Sequence, residues 1–212
     1  MFYTSYLANK LVDQLFRATA FTFPTTALSI GLLTSTKGPR ANSTVYALND
    51  TISLTANDTK THLYKCTTAG TSAAAQSTLY PGANGEVITD GTAVFTEQIA
   101  AMRAGTVVEA AYTGYARSNT AASTANYAGT QGAGTTAVSS GTSVPTTSNN
   151  VTVTFGSAAT SGPTYVWGIA FFDATSAGNM LAIEPLATVK TINNGDPAPT
   201  FAAAALTASI DS

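Results

Sequence analysis

Lysine, arginine, aspartate and glutamate together make up only 9% of this chain, about a third of the usual share. That scarcity constrains the fold more than any other feature. A surface without charge must be built from Thr, Ser, Asn and Gln. Thr and Ser favour strands and turns over helix interiors. The 17 glycines and 8 prolines add turn formers. The expectation is a mainly β protein with many turns. Its 212 residues suffice for one medium domain, or for one domain carrying a small module.

The net charge of -2 includes no basic patch to neutralise phosphates, so nucleic acid is not an expected partner. A surface this poor in charge repels its neighbours weakly. That suits copies packed side by side in an assembly and is a solubility risk for a free enzyme. Cys66 is the single cysteine, so no intrachain disulfide can form, and the residue reads as a buried small hydrophobe. Met1 to Ser5 lack the basic start and apolar run of a signal peptide. No stretch approaches the roughly 20 apolar residues of a membrane span. Synthesis in the cytoplasm, with no membrane partner, is the expectation.

Residues 5 to 18 carry the clearest helix signal. Ser5 is the expected N-cap. Leu7, Leu11 and Leu15, with Val12 and Phe16, recur at spacings of three and four and give one apolar face. Lys10, Asp13, Gln14 and Arg17 lie largely off it. This face predicts core packing or docking, and the helix should end near Thr19, before Pro24. A strand follows at 26–34. Short apolar runs separated by turn residues then predict a small β module over residues 42–103, inserted into a domain formed by 1–41 and 104–212. In the second part, 106–117 and Val151–Phe155 read as strands, with a long surface excursion of small polar residues over 118–149 between them. Tyr165–Phe172 is the densest apolar run, holds the only tryptophan, and reads as a central strand buried on both faces. Met180–Leu186, Val189–Ile192 and Leu206–Ile210 complete about seven strands outside the insert, which suits an antiparallel β-sandwich with one N-terminal helix.

Catalytic and metal chemistry find little support. His62 is the only histidine, so a two-histidine metal site cannot form. A Ser-His-Asp arrangement would need His62, which reads instead as an exposed or hydrogen-bonded strand residue. Glu86, Asp90 and Glu97 are close enough in sequence to suggest a carboxylate pair, but they lie among turns and read as solvated acids. Asn57-Asp58 and Asp90-Gly91 match no calcium-loop spacing. Gly129–Gly134 is glycine-rich, yet follows no strand and opens no helix. No catalytic, cofactor or metal residues are expected. Tyr127 and Tyr80 are candidates for a protein interface as well as for the core.

Two parts of the chain resemble known proteins. Tyr6–Asp13, Leu28–Leu32, Trp167–Ala174, Gly178–Ala182, Lys190–Asp196 and Leu206–Asp211 together resemble a family of tailed-bacteriophage virion proteins, often labelled tail fibre or minor structural proteins. This resemblance covers residues 1–41 and 104–212. In the insert, Tyr46–Ile52, Leu63–Ser72 and Thr89–Phe95 are similar to small β modules of phage fibre and decoration proteins, and through them to compact chitin-binding modules. Val94-Phe95 stands where such modules often carry tryptophan.

The resemblance implies a non-enzymatic virion structural protein, made in the host cytoplasm. The leading expectation is a decoration or cement protein on the head exterior, bound to the major capsid protein and oligomeric, by analogy a trimer. Leu7, Leu11, Leu15 and Tyr127 are its candidate interface residues. The alternative is a minor tail or tail-fibre protein bound to other tail proteins. There the insert would contact host glycans, with Tyr46, Tyr64 and Tyr80 as candidates. A third reading, a polysaccharide-degrading enzyme of the particle, would need two carboxylates in one cleft.

Overall fold

The structure is a computed structural model that describes residues 1–23, 28–76, 80–141 and 145–209. The chain opens with β1 (Phe2–Tyr3), α1 (Ser5–Phe16) and β2 (Leu28–Ser35). Next come β3 (Val45–Tyr46), β4 (Thr51–Thr55), β5 (Thr61–Thr68), β6 (Gly70–Thr71), β7 (Val87–Asp90) and β8 (Ala93–Glu97). The short helix α2 (Ile99–Ala104) leads into β9 (Ser118–Thr120), β10 (Thr146–Ser148) and β11 (Val153–Thr154). The end is formed by β12 (Thr164–Phe172), β13 (Met180–Ile192), β14 (Thr200–Phe201) and β15 (Thr207–Ser209). The fold is mainly β and its strand pairs are antiparallel.

The principal sheet has the order β1-β13-β12-β2-β9. Its central strand β12 is the dense apolar run, as a strand covered on both faces must be. Val166 pairs with Thr34 while Gly168 pairs with the adjacent Leu33. Trp167 is therefore the extra residue of a bulge, which changes the face onto which later residues point. Val166, Ile169 and Phe171 join one core with Ile30, Leu32 and Leu181. Trp167, Ala170 and Phe172 join a second core with Leu33 and Ile183. Burying each large side chain contributes about 1.5–3 kcal/mol.

Each face has its own cover. The first core is closed by the two-stranded ribbons β11-β14 and β10-β15, which bring in Val153, Phe155, Leu206 and Ala208. Against the second core pack α2, through Ile99 and Met102, and β5, through Leu63. Beyond lies the four-stranded sheet β4-β5-β8-β7, whose far side holds a third core of Tyr46, Ile52, Tyr64, Cys66, Tyr80 and Phe95. Cys66 is buried, and burial pushes its thiol pKa up.

Several expected boundaries differ. Thr4, not Ser5, caps α1: its hydroxyl accepts the Leu7 N–H at 3.3 Å and itself donates to the Met180 carbonyl at 2.6 Å. The helix stops at Phe16, because Ala18 takes a positive φ and the Thr19 N–H turns back onto the Asp13 carbonyl. Pro24 and residues 26 and 27 of the expected strand lie outside the described residues, as does Ile210. Val151–Phe155 pairs as a strand only at Val153–Thr154. The segments Met180–Leu186 and Val189–Ile192 are one strand, β13. The helix α2 was not foreseen, and six residues are too few for a periodic signal.

Residues 106–117 are not the expected strand. They touch β2 at one bridge, Glu109 to Leu33, and are fixed by polar side chains. Arg117 grips Glu109 through Nε at 2.8 Å and Nη2 at 2.7 Å. Its guanidinium stacks 3.4 Å over the Phe172 ring. The Tyr115 hydroxyl donates to Glu109 at 2.6 Å and accepts the Leu32 N–H at 3.0 Å. This knot fits only because residue 31 is glycine. A Cβ there would meet Glu109 Oε1 at 2.7 Å and Phe172 at 2.8 Å.

Gly31→Ala is expected to cost about 1–3 kcal/mol by overpacking. Val138→Ala, at a residue 81% exposed, should stay within about 0.5 kcal/mol. Urea unfolding followed by Trp167 fluorescence measures both.

Candidate functional site

Tyr46, Tyr64 and Tyr80 are the first group to place. Each is at most 1% exposed. Their rings pack edge to face, Tyr64 on Tyr80 at 4.9 Å and Tyr46 on Phe95 at 5.1 Å. Their hydroxyls are satisfied inside: Tyr64 donates to the Pro81 carbonyl, Tyr80 to Asp90, and Tyr46 accepts the Ala41 N–H. A sugar needs an open ring face, and these three offer none. The expectation that they contact a glycan is corrected, and Tyr80 is likewise withdrawn from any interface. β4 and β8 fold these rings inward because Ile52, Ala93 and Phe95 share their face.

Two acids expected to be solvated are buried. Asp90 meets the Arg40 guanidinium in a fork, Nε to Oδ2 at 2.6 Å and Nη2 to Oδ1 at 3.0 Å. It also accepts from Tyr80 at 2.7 Å and from the Ala73 N–H at 3.0 Å. Burial pushes its carboxyl pKa up, but the Arg40 and Tyr80 hydrogen bonds more than offset this and hold it low. Arg40 also reaches Asn42 and the Ala73 carbonyl. The arrangement ties the segment after β2 to the β7–β8 turn, where Gly91 takes a positive φ and a Cβ would strike the Thr71 carbonyl. It fully occupies Asp90 and leaves no carboxylate pair in a cleft with Glu97. Glu86 alone of the three acids is exposed.

Glu97 belongs to a second cluster, centred on His62 in β5. His62 Nδ1 lies 3.0 Å from Glu97 Oε1, and Nε2 lies 3.0 Å from Asp58 Oδ2. Glu97 Oε2 accepts the Ile99 N–H at 2.8 Å, which fixes the start of α2. Phe2 of β1 stands edge-on to the imidazole at 5.9 Å. Burial disfavours the charged ring, but the Glu97 and Asp58 hydrogen bonds outweigh it and raise the His62 pKa. Asp58, despite partial burial, is held below the usual carboxylate range by the Lys60 N–H and His62. Both imidazole nitrogens face acceptors, so the ring has no lone pair for a base or a metal. Among the described residues, no group of His, Cys, Asp and Glu is placed to hold a metal ion. The cluster is a latch within the four-stranded sheet, joining β5, β8 and the β4–β5 turn to the start of α2.

The expected interface residues separate. Leu7 is buried in the first core, and Leu11 packs half-buried against it. Leu15 is 71% exposed, with Phe16 at 81% and Val12 at 50%. At 100° per residue, Ala8, Val12, Leu15 and Phe16 share one open arc of α1, while Lys10 and Arg17 lie on other arcs. Where the helix meets the body, an apolar groove of about 460 Å³ runs past Leu7, Phe23, Leu28 and Leu206. Tyr127 lines that groove, half-buried, bridged to Asn149, and its pKa is pushed by burial up to about 12. The periodicity of α1 marks these residues as apolar but not which of them the body covers. No described helix is long and apolar enough to cross a membrane.

His62→Gln removes a charge that Glu97 and Asp58 require, at a cost of about 3 kcal/mol. A histidine raised in the folded state stabilises fully below its unfolded pKa of about 6.5, and that stability fades as pH rises through the folded value. The drop in Tm caused by His62→Gln should therefore be larger at about pH 5.5 than at about pH 9. Calorimetry at the two pH values measures it, and an equal drop at both would contradict a charged His62.

The family profile described as Podophage GP4 fiber I protein gp80 matches residues 92–209, from the β7–β8 turn to β15. No curated protein matches the chain.

Proposed function

The chain belongs to the family of podophage GP4 fiber I protein gp80, whose profile spans more than half of it, and from that premise we propose that it is a non-enzymatic fibre subunit of a phage particle. A structural protein of the virion is the coarse reading that the family supports. The finer reading, a fibre rather than a shell decoration, follows the description that the family carries. Residues 1–41 and 104–212 form the body in this reading, with 42–103 as an inserted module.

The observation that carries the attachment mode is the open arc of α1. A lone apolar side chain on a surface needs no explanation. Four apolar residues on one arc of a helix, with no charge among them, form a surface suited to a protein partner. The occupant in this reading is another virion protein, a neighbouring copy included. Leu15 and Phe16 are the contact residues, while Leu7 and Leu11 hold the helix to its own body. Low net charge removes the repulsion that would otherwise oppose close packing of copies.

Gold-labelled antibody against this chain, applied to intact particles, tests the location. Label confined to fibres or the tail supports the proposal, and label spread over the head surface overturns it in favour of a decoration protein. Attachment is tested separately by Leu15→Asp with Phe16→Asp. Both sites are exposed, so the Tm should barely change. Incorporation into particles should fall by about tenfold or more, as for the loss of a central interface anchor. Normal incorporation would exclude α1 as the attachment surface.

A further inference from the structure

Two turns of the chain carry the pair Asn-Gly: Asn84-Gly85 just before β7, and Asn194-Gly195 just after β13. This pair has a chemistry of its own. Glycine has no side chain to shield its amide nitrogen, and that nitrogen can close a succinimide ring on the side-chain carbon of the asparagine before it. Asn84, Gly85, Asn194 and Gly195 are all exposed. Neither asparagine side chain has a hydrogen-bond partner among the described residues. A Cβ built on either glycine would meet nothing within 4 Å. Residue type and access are therefore the same at both turns.

The two turns differ in how the backbone is held. Around Asn194, the Gly195 N–H donates to the Ala159 carbonyl at 2.8 Å, and the Ala159 N–H donates to the Asp196 carbonyl at 2.9 Å. The Asp196 carboxylate accepts the Asn193 N–H at 2.7 Å, and the Asp196 N–H donates to the Asn193 carbonyl at 3.1 Å. The turn around Asn84 is tied more loosely. The Gly85 N–H reaches Glu97 Oε2 at 3.3 Å, the Ala83 N–H reaches Glu86 Oε2 at 3.3 Å, and the Glu86 N–H reaches the Ala83 carbonyl at 3.2 Å. Bonds of this length lie at the weak end of the hydrogen-bond range. Glu97 Oε2 is also shared with the Ile99 N–H, which holds it at 2.8 Å. Ring closure needs the glycine nitrogen to leave its acceptor and turn onto the side chain. The cost of that local opening decides which pair reacts.

We propose that Asn84 is a site of spontaneous succinimide formation, and that Asn194, in the same dipeptide, is protected by its turn. The Gly85 nitrogen gives its proton to solvent hydroxide and attacks the Asn84 side-chain carbon. The N–Cγ bond forms, the Cγ–Nδ2 bond breaks, and Nδ2 takes a proton from water and leaves as ammonia. Water then opens the ring at either of its carbonyls. One opening gives aspartate. The other gives isoaspartate, in which the main chain runs through the side-chain carbon. Either product adds a negative charge next to Gly85 and Glu86, whose N–H and carbonyl hold the side chain and backbone of Glu97. The change is thus delivered beside the His62 cluster. This goes beyond the fibre reading and does not depend on it.

Incubation of the folded full chain at mildly alkaline pH, followed by mass spectrometry of its tryptic peptides, tests the proposal. Trypsin places the two pairs on separate peptides, 66–103 and 191–212. Conversion at Asn84, read as aspartate plus isoaspartate, should run at least about tenfold faster than at Asn194, the ratio expected when one more firm hydrogen bond must open. In guanidinium chloride neither turn exists, so the two rates should converge. Asp196→Ala removes the side-chain acceptor of the Asn193 N–H and should speed conversion at Asn194 in the folded chain by about fivefold. Asn194 converting as fast as Asn84 in the folded chain would overturn the proposal. So would a preference for Asn84 that persists unchanged in guanidinium chloride, since the fold would then not be its cause. An unchanged rate at Asn194 in an Asp196→Ala chain that keeps its Tm would overturn the protection assigned to that turn.

Discussion

One bulge in one strand organises this molecule. β12 is covered on both faces, and Trp167 inserts an extra residue against β2. Without that step, strict alternation would put Trp167 and Ile169 on the same face. With it, Ile169 serves the core under the ribbons, while Trp167 serves the core under α2 and β5. The ribbons, α2 and the four-stranded sheet thus all dock through a strand of nine residues. The bulge is a built feature of the sheet, because both cores are filled by the residues it redirects.

A chain with so few charges uses several of them inside. Arg40 with Asp90, and Arg117 with Glu109, are forked pairs supported by further hydrogen bonds. Pairs of this kind contribute little net stability against apolar replacements, but losing one partner leaves a stranded charge. Their contribution here is geometric. Each pins an irregular segment, 106–117 or the stretch after β2, where strand hydrogen bonds are lacking. His62 acts in the same way between β5, the β4–β5 turn and the start of α2. On a surface with few charges the apolar arc of α1 stands out.

Much of the fold was legible in the residues. The run Tyr165–Phe172 marked the central strand, since only a strand covered on both faces keeps such continuous apolar character. The short apolar runs separated by turn residues marked the strands β4, β5, β7 and β8. The segment 106–117 was misread because its apolar residues look like a strand, while side-chain bonds hold it along the sheet edge with a single bridge.

The amino-acid sequence by itself determined the β character, the amphipathic helix and the scarcity of charge. All three follow from composition and from periods of two and 3.6 that operate within a few residues. Only the tertiary structure decided which apolar and polar side chains are covered. Asp90 is buried because Arg40 reaches it from 50 residues away. Tyr64 and Tyr80 are closed off because each is the other's neighbour. Leu15 is open and Leu7 shut because the body meets only the first turns of α1. Burial is set by what lies across from a residue, and that partner is distant along the chain.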